Sequence, residues 1–253
     1  MSSLITRRTI LSGAAGSAGL LLSGCDRLAH NDSFRHLLFR EDDIHRSLQR
    51  ALSNRYSLAK EFSAAEMSPV FRANGSVNPG TDEYRGYIAN NFADYRLRID
   101  GLVNRPLNIS MAQLKSLPAR TQITRHDCVE GWSAIGKWHG PMLGTILKAA
   151  DVKTNARYVI FHCADLFHGT NYYTSIDMFD AFHPQTVLAW AMNDAPLTVA
   201  HGAPIRLRAE RHLGYKQAKY VMRIEAVESL TAIGGGKGGY WEDNVDYDTY
   251  AGI

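Results

Sequence analysis

Apolar and polar positions follow two different periods along this 253-residue chain, and each change of period marks a change of element. Ile44, Leu48, Ala51 and Leu52 recur on one helical face, with Arg46, Arg50 and Arg55 on the others. That spacing predicts an amphipathic helix over residues 33–66, ended by Pro69. The Asn-, Gly- and Pro-rich run 71–84 predicts a loop. Residues 95–101 alternate as a half-buried strand, and Asn104-Arg105-Pro106 turns it. Ser110 and Gln113 form a capping box that opens a short helix stopping before Pro118. Residues 121–125 read as a short β-branched strand, and Gly140-Pro141 followed by Met142, Leu143, Ile146 and Leu147 as the start of a buried helix. Cys128 would then lie in a crossing between strand and helix. Residues 157–163 and 170–176 predict two more strands, and Asp177 to Phe182 a helical turn broken by His183-Pro184. Asn193-Asp194 turns the chain after 186–192; this segment is read as structural, with Asp177, His183 and Asn193 within reach of a pocket.

The N-terminus has a different character. Arg7 and Arg8 precede a Gly/Ala-rich apolar run that is short for a membrane span, the pattern of a twin-arginine export signal. Leu22-Ser23-Gly24-Cys25 resembles a lipobox, in which Cys25 would carry a lipid; a plain signal peptide or an uncleaved anchor are the alternatives. The predicted organisation is a signal with lipobox over 1–25, a helical extension over 26–69 and a catalytic domain over 70–253. The helix of the extension packs on its own domain or lies on a membrane surface. The formal charge of +3 falls to +1 without residues 1–24, which hold two arginines and no acid. No clustered basic face points to nucleic acid. A composition of 45% hydrophobic and 21% charged residues is that of an ordinary globular protein.

Candidate chemistry concentrates around Cys128, which is surrounded by Arg125, His126, Asp127, Glu130, Trp132, Lys137 and Trp138. Arg125 and Lys137 are the cations available to favour a thiolate. A buried inert thiol is the plain alternative. Ten histidines without an HxxxH pair give little support to a zinc hydrolase. No CxxCH haem motif or cysteine cluster occurs. The glycine-rich run 234–239 lacks the Ser or Thr of a phosphate loop, so the tail reads as a turn followed by an aromatic, acidic strap containing Tyr240, Trp241, Tyr247 and Tyr250. The strap would cover a site, dock a redox partner or simply pack on the surface.

The run RHDCVEGWSAIGKWHG (125–140) closely resembles the cofactor segment of the sulfite oxidase-like molybdopterin oxidoreductases, nearest to the bacterial periplasmic methionine-sulfoxide reductase catalytic subunits. HGAPIRLRAERHLGYKQAKY (201–220) resembles the same family's second pterin segment. The resemblance implies an α+β molybdopterin domain with mixed sheets, a molybdenum-molybdopterin cofactor, and Cys128 as the single protein ligand of the metal. A soft thiolate suits a sulfur-rich, high-valent metal. It also implies cofactor contacts from Asn74, Cys163, His201, Arg206, Gln217, Ala218 and Lys219. Cys163 stands where relatives have threonine, and His201 where the nearest have asparagine. Arg125 is the candidate to orient an oxyanion, whereas VEGWS replaces the basic residues that follow the cysteine in sulfite oxidases.

The implied reaction is two-electron oxygen-atom transfer on a small S-oxide, N-oxide or sulfite-like substrate in the periplasm, with electrons exchanged through a separate protein, a membrane haem protein or a soluble cytochrome. Membrane attachment would come from Cys25, and twin-arginine export suits a protein folded around its cofactor. The chain length predicts no C-terminal immunoglobulin-like dimerisation domain and hence a monomer. A non-catalytic exported lipoprotein binding module remains the non-enzymatic alternative.

Overall fold

Strands with an apolar face supply most of the architecture. In the computed structural model the chain divides into two units, residues 1–52 and 53–253. The structure describes Asn31, Ser47, Leu48 and residues 56–253; the signal and lipobox lie outside the described residues, as does most of the predicted helix before Tyr56. Within the second unit the elements run α1 (Asp82–Ala89), β1 (Arg96–Gly101), β2 (Leu107–Ser110), α2 (Met111–Ser116), β3 (Ala119–Asp127) and β4 (Ser133–Pro141). There follow α3 (Leu143–Ala150), β5 (Tyr158–Phe167), β6 (Thr170–Asp177), α4 (Met178–Ala181) and β7 (Thr186–Ala189). The remaining elements are β8 (Ala191–Met192), β9 (Ala195–Pro196), β10 (Arg206–Ala209), β11 (Val221–Val227) and α5 (Tyr240–Val245).

Three sheets result. A five-stranded sheet has the order β2-β1-β11-β5-β6, parallel only between β1 and β11; a four-stranded sheet runs β3-β4-β8-β9, and β10 pairs with β7. This mixture with short helices is the α+β class expected. The main core lies between the five-stranded sheet and α3, where Leu97, Ile99, Val159 and Phe161 meet Leu143, Ile146 and Leu147. Each such side chain contributes about 1.5–3 kcal/mol through removal of apolar surface from water. A second core cluster gathers Trp138, Val187, Ala189, Leu197 and Ala203.

Several local predictions hold. Ser110 accepts from the Gln113 amide at 3.2 Å while Gln113 Oε1 accepts from the Ser110 amide at 2.9 Å, so the capping box opens α2 as expected. Asp177 caps α4 by accepting the Asp180 amide. Others need correction. Residues 56–69 are not helical apart from a 3-10 turn over Ala64–Glu66. They lie as a strap along the β3–β4 hairpin, with the Phe62 amide on Ile123 O at 2.9 Å and the Ser68 amide on Ile135 O at 3.0 Å. The loop before α1 ends at Thr81, whose hydroxyl caps the helix.

The largest correction concerns Cys128. The chain after it returns as β4, antiparallel to β3 from Asp127↔Ser133 to Ala119↔Pro141, and helix α3 begins only beyond that. The inward positions of β4 include Ala134, Gly136 and Gly140, so its alternation carries little hydrophobic signal. A Cβ on Gly140 would stand 2.1 Å from Leu188 O, and glycine is what lets β4 approach β7 so closely.

Candidate active site

Cys128 occupies the tip of the β3–β4 hairpin. Its amide donates to Trp132 O at 2.9 Å and its carbonyl accepts from the Gly131 amide at 3.0 Å, closing a tight turn. Side chains along β3 alternate: Gln122, Thr124 and His126 point inward, while Arg125 is exposed on the opposite face. Cys128 is half-buried and not disulfide-bonded. It lines a cleft of about 920 Å³, open mouth included, with Asn74, His126, Trp132, Asp165, Arg206, Gln217 and Lys219 among its walls. Asn74 Nδ2 donates to Cys128 Sγ at 3.3 Å. The predicted ligand and the predicted loop residue thus meet across 54 positions of sequence.

Asn74 is delivered by an aromatic anchor that sequence inspection missed. The Phe71 ring packs edge-on to Trp138 at 5.2 Å and to Trp132 at 6.4 Å, and tilted against His126 at 5.7 Å. Its carbonyl accepts from His201 Nε2 at 3.1 Å. His201 is not itself a cleft wall; it holds the segment that is. Lys219 acts similarly. Its ammonium donates to Asn74 O at 2.8 Å, to Ala200 O at 3.0 Å and to Ser76 O, which occupies its three protons. Burial, then the Arg206 charge, lower its pKa to about 7.

Arg206 is the cation best placed for an anionic group. It is buried in the cleft wall, where Nη1 donates to His201 O at 3.1 Å and Nη2 to Gln217 O at 3.4 Å. Its Nε has no partner, and it makes no carboxylate pair among the described residues. Burial first, and the Arg208 charge second, lower its pKa to about 9. A buried guanidinium donor left open beside a cleft is suited to a phosphate-bearing ligand. Gln217 lines the cleft, but its amide is spent on Ala209 N and O and on His212 O, which fixes the loop.

His126 was seen in the sequence only as a neighbour of Cys128. Arg208 Nη1 stands 3.0 Å from His126 Nδ1 and can only donate, so Nδ1 accepts and the proton resides on Nε2. Burial, then the charges of Arg208 and Arg206, push this imidazole down to about 2, which keeps it neutral. Arg208 is fully buried, forked onto Glu210 at 3.0 and 2.6 Å, and its guanidinium lies 4.3 Å from the Trp138 ring centre. Gly214 makes room for the imidazole: a Cβ there would sit 2.8 Å from His126 Nε2.

Besides His201, several predicted residues are not brought to the cleft. Arg125 turns away with its strand face and pairs with Asp127 at 2.9 Å; Lys137 likewise pairs with Asp194 at 2.6 Å. Cys163 is packed in the main core, where burial first and the Asp165 charge second raise its thiol well above the ordinary range. Ala218 is in the same core, contributing only its backbone to the loop. Asp177, His183 and Asn193 are used for capping, for Ser57 O and for the Lys137 amide.

No three His, Cys, Asp or Glu side chains converge as a metal cage among the described residues. The glycine-rich run also binds its own anion. Asp243 accepts the Gly235 amide at 2.9 Å and the Lys237 amide at 2.8 Å, where a phosphate would sit in a nucleotide loop. Beyond it, Trp241 and Tyr247 line the cleft and Tyr250 packs on His212, so part of the strap does reach the mouth.

The donor set suits molybdopterin: a half-buried thiol at a hairpin tip for a soft metal, and an unpaired buried guanidinium for a phosphate. The oxidoreductase molybdopterin binding domain family matches residues 85–231. A putative protein-methionine-sulfoxide reductase subunit YedZ1 from Azospira oryzae is 36% identical over 98% of this chain and 88% of its own length. Protein-methionine-sulfoxide reductase catalytic subunits MsrP are 30% identical in Xanthomonas campestris and 31% in Campylobacter jejuni. Those matches cover 59% and 54% of this chain, and the chain spans about half of either relative. The sulfane dehydrogenase SoxCD structure from Paracoccus pantotrophus superposes with a TM-score of 0.50 at 24% identity, covering 54% of this chain and 39% of that one, a likeness of fold. The chain belongs to the oxidoreductase molybdopterin-binding domain family and is a molybdenum-dependent oxidoreductase with the sulfite oxidase-type fold.

Proposed function

We infer that this chain reduces an S-oxide, a methionine sulfoxide being the substrate class named for its relatives, with Cys128 as the protein ligand of molybdenum. The observation that carries the reading is the meeting of the Cys128 thiol and Asn74 in one cleft with the open Nε of Arg206. When bound, the molybdenum-pterin group supplies the two-electron oxygen-atom chemistry. The net change is sulfoxide plus two electrons and two protons to sulfide plus water. Asn74 hydrogen-bonds the sulfur and tunes its donor strength. Arg206 holds the anionic end. His126, fixed as the Nε2–H form by Arg208, offers a neutral donor at the wall beside Cys128.

The cleft favours a neutral sulfoxide over sulfite because Arg125, the cation expected to grip an oxyanion, faces away. Its walls include Phe71, Trp132, Phe167, Tyr172, Trp241 and Tyr247, which suit a thioether-like group. Electrons come from a separate protein, in keeping with relatives named as subunits and with the lack of a haem or cluster motif in the sequence. The chain acts as a monomer in the periplasm after twin-arginine export, with a lipid on Cys25 holding it to the membrane. No helix among the described residues is long and apolar enough to cross one. The domain boundaries read from sequence, 1–25, 26–69 and 70–253, are retained for this division of labour.

The test is metal and pterin analysis of the full chain from a molybdate-replete host, followed by turnover with a reduced dye. About one molybdenum and one pterin per chain, with dye oxidation by peptide methionine sulfoxide faster than by N-oxides, supports the reading. A folded chain with neither group refutes it.

A further inference from the structure

Strand β4 carries a single large side chain among its inward positions Ala134, Gly136, Trp138 and Gly140, and that residue, Trp138, is fully buried. The glycines on either side make room for it. Gly140 lets β4 lie against β7, and a Cβ on Gly136 would stand 3.1 Å from the Phe71 ring and 3.4 Å from Trp138 Cζ2. Strand β10, paired with β7, then brings two cations to the indole. Arg206 and Arg208 are two positions apart and so share one side of their strand. Their guanidinium carbons lie over the Trp138 ring, 5.0 and 4.3 Å from its centre. Both distances are those of a cation–π contact, which is strongest where water is excluded.

The two cations are not equivalent. Arg208 is neutralised by Glu210, whose Oε1 also accepts the Gln122 amide at 2.8 Å. Arg206 has no carboxylate pair among the described residues; it donates to the carbonyls of His201 and Gln217 and leaves Nε open. A buried charge without a counter-ion is strongly destabilising unless another group answers it. The electron-rich face of the indole is the group in place. Two observations separate this role from plain packing or ligand contact. Trp138 is not a wall of the cleft, and its buried Nε1–H has no acceptor. The polar edge of the indole is therefore idle while its face is occupied. We propose that Trp138 is a positioning residue of the site, its indole face holding the uncompensated Arg206 guanidinium in the cleft wall for an anionic group of the cofactor. The assignment rests on the functional reading above.

The experiment is a double-mutant cycle on the full-length chain that pairs Trp138→Leu with Arg206→Met, with Trp138→Phe as the variant that keeps an aromatic face. Denaturant unfolding of the cofactor-free chains reads the coupling, and the rate of pterin release from the loaded chains reads its consequence. Arg208 is present in every member, so its own contact with the ring cancels. With Arg206 in place, Trp138→Leu should lower the folding equilibrium constant about tenfold more than it does beside Arg206→Met, equivalent to about 1.4 kcal/mol. Trp138→Leu should release pterin about tenfold faster than wild type, while Trp138→Phe stays within about threefold of it. Additive losses in the cycle overturn the assignment, and so does equal release from the leucine and phenylalanine variants, since either result marks the indole as packing alone. If Trp138→Leu folds in neither background, the cycle is run with Trp138→Phe, where a smaller coupling of the same sign is expected and strict additivity is the contrary result. A wild-type chain without pterin sinks the functional reading and this assignment together. A loaded wild type whose cycle is additive sinks the assignment alone.

Discussion

The two segments that build the cleft are made on opposite plans. The hairpin tip over 128–132 is a short turn whose side chains are half-buried or exposed, with Cys128 touched by one side-chain hydrogen bond, from Asn74. The stretch from His201 to Lys219 is largely buried and cross-linked, by Arg208–Glu210, Lys216–Glu242, Gln217 to Ala209 and His212, and Lys219 to three carbonyls. The tip presents a reactive atom that must remain open to a ligand. The second segment holds positive charge in a low-dielectric wall, and that requires partners on every side. Loss of a residue from the tip should therefore change chemistry with little effect on stability, while loss from the wall should change both.

The contrast is open to breakage in steps. Cys128→Ala should abolish turnover, by about a thousandfold or more given that a metal-ligand bond is lost, with a melting temperature of the cofactor-free chain close to wild type. A large fall in that temperature would place Cys128 among the structural residues. Arg208→Met removes the cation from the buried Glu210, leaving it the Gln122 amide at 2.8 Å, and frees the His126 ring. It should cost about 3–5 kcal/mol, seen as a fall of about 10 °C in melting, with partial recovery in the Arg208→Met/Glu210→Met double variant. Removal of one hydrogen bond to sulfur in Asn74→Ala should slow turnover by about tenfold without a comparable change in melting.

A further effect is a pH dependence. The Asp165 carboxyl is raised from 3.8 to about 7, so the folded cofactor-free chain binds the extra proton between those values. Its contribution to stability is full below the unfolded pKa and is lost as pH rises through the folded one. Relative to Asp165→Asn, the wild-type melting temperature should thus decline from pH 4 towards pH 7. Parallel curves would show that the carboxyl is not held protonated.

Much of this was readable in the chain, for reasons that differ by residue. Cys128 stood out through the density of ionisable and aromatic residues around it, and Asn74 and Arg206 through resemblance; all three line the cleft. Strand β1, the capping box of α2 and the turn at α4 follow from local spacing alone. Strand β4 was hidden because glycine and alanine fill inward positions that usually carry large apolar groups. Arg125 lies away from the cleft because strand alternation sets it opposite His126, which proximity in sequence does not reveal. The strap over 56–69 owes its path to bonds with Ile123, Ile135 and Gln185, none of them local. Phe71 gave no signal because its role comes from aromatic contacts assembled only in the fold.

X-ray absorption at the molybdenum edge tests the central assignment most directly, by counting sulfur neighbours in the full-length wild type and in Cys128→Ser. One sulfur fewer around the metal in the variant is the predicted result. An unchanged sulfur count would show that the thiol at the hairpin tip does not bind the metal.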